Sequence, residues 1–195
     1  MERDVNVDAM AIDVSRLVER TVASLYSHLV TRATGRAVRM AIEQRLTEGE
    51  GASLSVIDLS EVAVLDFSCA DEVVAKLLLR FEGDERPRDV FFLFGGLAAH
   101  HRDPIEAALE RHELAAIAAT DAGDAQVLGA LSPEEARVWQ ALEEAGSLQG
   151  DALHRRFPEA ADRATLRRLS RRRLVFRRPD REEYHALTAL ARRFE

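Results

Sequence analysis

The densest run of side chains able to do chemistry lies near the C-terminal end. Arg163, Arg167 and Arg171 recur every four residues there, and Arg168 and Arg172 form a second stripe beside them. Residues four apart stack on one face of a helix, so the spacing predicts a cationic ridge. Asp162 is the only acid from that position to Arg178, which leaves the ridge without local neutralisation. Arg177, Arg178 and Arg181 extend it around a Pro179-Asp180 turn. Guanidinium forks match phosphates and the acceptor edge of guanine, which makes all of these arginines candidate contacts for double-stranded DNA. The competing reading is a solvated face paired to acids elsewhere. Lys76 is the only lysine of the chain, so a general preference for arginine contributes to the pattern.

A second candidate is Ser68, followed by Cys69 and Ala70 at the expected start of a helix. Free backbone amides and the helix dipole favour a phosphate there, so Ser68 is a candidate phosphoacceptor. Asp66, Asp71 and Glu72 would repel one, and Ser68 and Asp71 have capping-box-like spacing, so a structural cap is the first expectation. Cys69 has apolar neighbours and reads as a small buried residue rather than a reactive thiol. His100 and His101 diverge on any helix and read as solvated loop residues. Gly95-Gly96 lacks the spacing of a phosphate-binding loop and reads as a turn. No nucleophile elbow, triad order or paired-carboxylate motif is present. The expectation is a chain that is not an enzyme, with no cofactor and no metal.

The overall charge of -7 averages two opposed regions. From Asp151 onward 13 arginines face 7 acids, a balance of +6, while the preceding residues set 14 basic groups against 27 acids, a balance of -13. Only the tail has the sign that suits nucleic acid. One cysteine excludes an internal disulfide and a multi-cysteine zinc site. No apolar run approaches a membrane span and no signal-peptide pattern opens the chain, which predicts a cytoplasmic protein with no membrane partner.

The elements that must position these residues follow from periodicity. Val5 to Ala11 alternates in part, and Asp13 and Ser15 are possible caps of a helix to about Ser27. Leu17, Val18, Val22 and Leu25 of that helix suit a core or the seam of a homodimer. His28 to Thr31 reads as a short strand, and Thr34 as the cap of a helix carrying Val38, Ala41, Ile42 and Leu46, ended by Glu48 to Gly51. A strand over Leu54–Leu59 and a helix over Cys69–Phe81 come next. Val90 to Phe94 is apolar throughout, as in a central strand covered on both faces. A helix from Asp103-Pro104 to His112, a strand over Ala115–Ala119 and a helix over Asp121–Leu131 complete an alternating pattern. It predicts an α/β unit with a mostly parallel or mixed sheet.

After Ser132 the pattern changes. Ser132-Pro133-Glu134-Glu135 is a capping box with proline at the first helical position, opening a helix that carries Val138, Trp139 and Leu142 and ends at Gly146. A second stretch covers Gln149–Phe157 and a third Ala161–Arg172, with Leu166 and Leu169 inward. Leu174-Val175-Phe176 and Glu183 to Leu187 read as a hairpin. Three helices and a hairpin form the order in which a third helix enters the major groove while the hairpin touches the backbone.

Ser132 to Leu187, through Trp139 and the run 167–175, resembles bacterial winged helix-turn-helix regulators. Ser55 to Ser60, Val62, Val64 and Leu65 to Ala70, with Val90 to Leu93 and later Ala125, Val127 and Leu128, resemble the STAS domain of anti-sigma factor antagonists and sulfate transporter tails. Phe67 and Cys69 stand where that family's Asp-Ser-Ser-Gly turn has a serine and the glycine. The resemblance implies a STAS-like domain over 1–130, placing Ser68 at the phosphoacceptor position, and a winged helix-turn-helix domain over 131–195. A fragment from about Ala130 is expected to fold alone. The function expected is a non-enzymatic transcriptional regulator, in which the first domain recruits an anti-sigma factor or kinase and the second binds DNA. The alternative is an adaptor whose winged helix docks protein.

Overall fold

The structure, a computed structural model, describes residues 8–13, 28–47, 52–83, 85–120, 124–178 and 181–192. The expected helix ending near Ser27, the stop at Glu48 to Gly51 and the Pro179-Asp180 turn lie outside the described residues. The fold is mixed α/β, with a five-stranded sheet in the order β1 (Asp8–Asp13), β3 (Ser53–Asp58), β5 (Val90–Gly95), β6 (Ala115–Ala119) and β7 (Ala125–Gly129). All pairs are parallel except β6 with β7. Two short strands, β2 (His28–Leu29) and β4 (Val64–Leu65), pair separately.

This order has a geometric consequence. Each parallel strand is added on the same side of the one before, and crossovers of a single, right-handed sense then place every connecting helix on one face. That face packs against α1 (Arg32–Thr47), α2 (67–82) and α3 (Ala99–Arg111). Val38, Ile42, Val73, Phe81, Ile105 and Leu109 of these helices meet Ile57, Phe92, Phe94 and Ala118 of the sheet in one buried cluster. β5 is the central strand, with every residue from Val90 to Phe94 at most 4% exposed.

The opposite face is covered by the C-terminal residues. These form α4 (Pro133–Ala145), β8 (Ser147–Gln149), α5 (Gly150–Arg156), α6 (Ala160–Arg171), β9 (Val175–Arg177), β10 (Glu183–Ala186) and α7 (Leu187–Ala191). The three strands make an antiparallel sheet in the order β8-β10-β9. Leu54, Phe91, Leu93 and Ile117 of the large sheet share one cluster with Val138, Trp139, Leu142, Phe176, Leu187 and Leu190. Phe91 and Phe176 meet edge to face across the junction, and apolar area removed from water there stabilises the contact.

Several local expectations change. Ala125–Gly129 is a strand, not part of a helix, antiparallel to β6 from Ala119↔Ala125 to Ala115↔Gly129. Its alternation explains why, since Leu128 faces the helices while Ala125 and Val127 face the C-terminal cluster. β8 is an additional strand, held by β10, where three helices and a hairpin are expected, and it takes Gln149 from the start of the second helical stretch. α1 begins at Arg32 rather than after Thr34, because the Thr31 hydroxyl accepts the amide of Thr34 at 3.2 Å. α3 begins at Ala99 rather than at Asp103, and Pro104 lies inside it.

Candidate nucleic-acid interface and ionic centre

α6 presents Leu166, Leu169, Thr165 and Asp162 inward, which leaves Ala160, Ala161, Ala164, Arg167 and Arg171 on its exposed face. The arginines do not act alike. Arg163 turns back, and its Nη1 donates to the carbonyls of Phe157 and Pro158, both at 2.7 Å, closing the α5–α6 connection. Arg168 donates through Nε to Glu135 Oε1 at 3.0 Å, and Arg172 through Nη1 to Glu135 Oε2 at 2.9 Å. Arg172 also reaches the carbonyl of Ala130 at 2.7 Å.

Local neutralisation is absent as expected, but tertiary neutralisation is not. Glu135 belongs to the Ser132 capping box, its Oε2 accepting the Ser132 amide at 3.0 Å while its own amide donates to Ser132 Oγ. Burial pushes its carboxyl pKa up, but the Ser132 amide, Arg168 and Arg172 outweigh this and hold it below the ordinary value. Asp162 is buried and pairs with Arg137 of α4, away from the ridge.

Arg171 is exposed and makes no ion pair among the described residues. Arg167 meets Glu182 of the hairpin at 3.1 Å, a solvated pair of small net worth. The guanidinium of Arg177 lies 6.0 Å above the Tyr184 ring. Arg178 lies 3.7 Å from Glu183 Oε2, and Arg181, two residues before Glu183, is exposed. The structure therefore brings Arg167, Arg171, Arg177 and Arg181 to solvent on α6 and its neighbouring hairpin, and commits Arg163, Arg168 and Arg172 to internal contacts.

At the other candidate site the cap is Asp66, not Ser68. Asp66 Oδ1 accepts the Cys69 amide at 2.8 Å and the Ser68 hydroxyl at 2.9 Å, so Ser68 lies one turn position inside and is half-buried. Cys69 is fully buried, donates to the Thr31 carbonyl at 2.8 Å, and has its thiol pushed up to about 11 by burial and by Asp66. Gly35 makes this approach possible, because a Cβ there would lie 2.9 Å from Cys69 Cα. Gly95 is the last residue of β5, paired with Asp58, rather than part of a turn, and Gly96, with φ +65, redirects the chain after it, its position pressed against Asp58 and Ser60.

Two features escape sequence inspection. Asp71 and Glu72 are buried at 3% and 2% exposure on the π-helical segment Asp71–Lys76 of α2. Arg32 of α1 spans both, at 2.7 Å from Asp71 Oδ2 and 3.1 Å from Glu72 Oε1. Arg39 reaches Glu72 at 3.2 Å, Lys76 pairs with Glu72, and His112 Nε2 lies 2.7 Å from Asp71 Oδ1. Burial pushes the Asp71 carboxyl up, but Arg32, His112 and Lys76 prevail and lower it to about 2. The only local hint was a pair of acids one turn before the sole lysine. The second feature is His101, buried rather than solvated. Its Nδ1 accepts the Ala98 amide at 3.1 Å, which leaves Nε2 as the donor to the Val62 carbonyl.

No described group of three or more histidine, cysteine or carboxylate residues has the arrangement of a metal site. No described helix is long and apolar enough to cross a membrane. No protein-family model, no curated protein and no solved structure matches the chain.

Proposed function

We propose that the protein is a non-enzymatic transcriptional regulator: a STAS-like unit that recruits a regulatory protein, carrying a winged helix-turn-helix that binds duplex DNA. The observation that carries the reading is the exposed edge of α6, where Arg171 has no ion pair among the described residues and the ion pair of Arg167, to Glu182, lies at the surface. A phosphate displaces such a carboxylate at little cost, and release of condensed counterions drives binding. The antiparallel three-stranded sheet beside α6 supplies a hairpin with Arg177 and Arg181 for the backbone. The N-terminal half of α6 offers Ala160, Ala161 and Ala164, small methyl-bearing residues suited to contact with thymine methyl groups, in place of an arginine fork to guanine.

The test is gel retardation of mixed duplexes by the full chain and by Arg171→Ala. The reading expects salt-sensitive retardation that Arg171→Ala weakens. Absence of any retardation at about 50 mM salt sinks it. The adaptor reading draws support from the internal engagement of Arg163, Arg168 and Arg172, and it becomes the account if a protein but no duplex binds. Phosphorylation at Ser68 belongs to the same proposal. It requires the hydroxyl to leave Asp66, and a Ser68→Asp chain with unchanged partner affinity removes it.

A further inference from the structure

The acidic balance before Asp151 conceals a segregated surface. α1 carries Arg32, Arg36, Arg39 and Arg45 against a single acid, Glu43. The neighbouring α2 turns Lys76 and Arg80 outward, while its Asp71 and Glu72 are buried beneath them. The two acids act as an inner layer that fixes Arg32, Arg39 and Lys76 in position. Arg36 and Arg80 are exposed and make no ion pair among the described residues. Between the helices and the turn after α2 runs a groove of about 330 Å³, lined by Arg39, Lys76, Leu79, Arg80 and Arg86. Glu85 is the one acid among its described lining residues; Arg39, Lys76 and Arg86 are paired to Glu43, Glu72 and Asp89 from outside the lining, and Arg80 is the lining cation with no ion pair among the described residues.

Charge alone fits any polyanion, and the apolar residues decide between them. Leu79 in the groove is 44% exposed, and Met40, next to Arg39 in α1 but outside the groove lining, is 55% exposed. Exposed apolar side chains among cations gain nothing from a phosphate backbone, whereas an acidic peptide segment with interspersed apolar residues covers both. We infer that this groove docks an acidic, leucine-type segment of a protein partner. The inference names the surface for the partner-recruiting half of the function proposed above and rests on that half. It is independent of DNA binding by α6.

The experiment uses the full chain and fluorescence anisotropy with two labelled peptides, one of repeating Glu-Glu-Leu triplets and one of repeating Glu-Glu-Ser. The leucine peptide is expected to bind more tightly, with an affinity that falls between about 50 and about 200 mM salt. Arg36→Glu with Arg80→Glu should weaken it by about tenfold or more, and Leu79→Ser by a few-fold. All three positions are exposed, and circular dichroism melting confirms that the variants fold. No binding, equal binding of the two peptides, or indifference to both variants overturns the inference. Loss of duplex retardation in the charge-reversed chain with peptide binding intact overturns it as well, by assigning the groove to the DNA track. Duplex retardation by the unaltered chain, measured alongside, separates failure of the groove from failure of the DNA-binding reading.

Discussion

The ring of Phe91, on the central strand, meets that of Phe176, on the C-terminal hairpin, edge to face with centroids 5.3 Å apart. Residues 85 positions apart in sequence thus share one buried cluster, and Arg173 reinforces it, its guanidinium 4.9 Å over the Phe91 ring and its Nη2 2.6 Å from Asp89. Truncating either ring leaves a cavity at the junction. Phe176→Ala is expected to cost about 3 to 5 kcal/mol in urea unfolding. Trp139, the single tryptophan, lies in the same cluster, so its fluorescence and far-ultraviolet circular dichroism should report one coincident transition. Two separated transitions would show that the junction is not cooperative.

The same cluster bears on a fragment that starts near Ala130. Such a fragment uncovers Phe176, Leu187 and Leu190, residues at most 5% exposed in the whole chain. The expected outcome is a fragment that binds a hydrophobic dye and self-associates more than the full chain does. A monomeric, dye-free fragment with a sharp melting transition would establish that the C-terminal residues need no cover from the sheet.

The arginines of α6 should divide by role. Glu135→Ala removes the capping-box partner of Ser132 together with the anchor of Arg168 and Arg172, and should lower stability by about 2 kcal/mol. Arg171→Ala should leave the melting temperature unchanged and weaken duplex binding. Arg177→Ala should lower the log-log salt slope by about one unit, as loss of one phosphate contact does. Thermal melts and retardation assays on the same preparations give both readouts, and equal effects of Glu135→Ala and Arg171→Ala on stability would refute the division.

Acid should undo the ionic centre. Asp71 is held at about 2, below the ordinary carboxylate value, so its contribution is fully present above the unfolded pKa near 4 and is lost as pH falls towards 2. Glu72 and Glu135 are shifted in the same direction. Glu82 and Glu143 are raised by burial, so they oppose the loss as they protonate. Asp71→Asn should therefore flatten the fall in urea midpoint between pH 5 and pH 3, by an amount corresponding to about 1 kcal/mol. An unchanged slope in the variant would remove Asp71 from the acid response.

Cys69 should be silent in the native protein. With its thiol fully buried, bonded to the Thr31 carbonyl and pushed up to about 11, it should not react with a disulfide reagent at pH 8 until the chain unfolds. Gly35→Ala presses a methyl group to 2.9 Å from Cys69 Cα, and is expected to accelerate the reaction by loosening the contact between α1 and α2. Stoichiometric labelling of the native chain within the mixing time would contradict the burial.

Elements whose signal is local are legible in the residues themselves. The apolar run Val90 to Phe94 specified a strand covered on both faces, because no alternation means no solvent face. Ser132 to Glu135 specified a helix start, because the capping box closes within four residues. Interactions that reach far along the chain emerge only once it is folded. Ala125 to Gly129 suits helix or strand locally, and pairing with β6 chose the strand. The arginines 168 and 172 look free in any local window, yet Glu135, 33 and 37 residues away, claims both. Burial of Asp71 and Glu72 depends on Arg32 and Arg39 arriving from another helix, since a carboxylate leaves water only when cations replace its hydration. Periodicity records which face of an element is apolar, but it carries no information about which distant charge that face will meet.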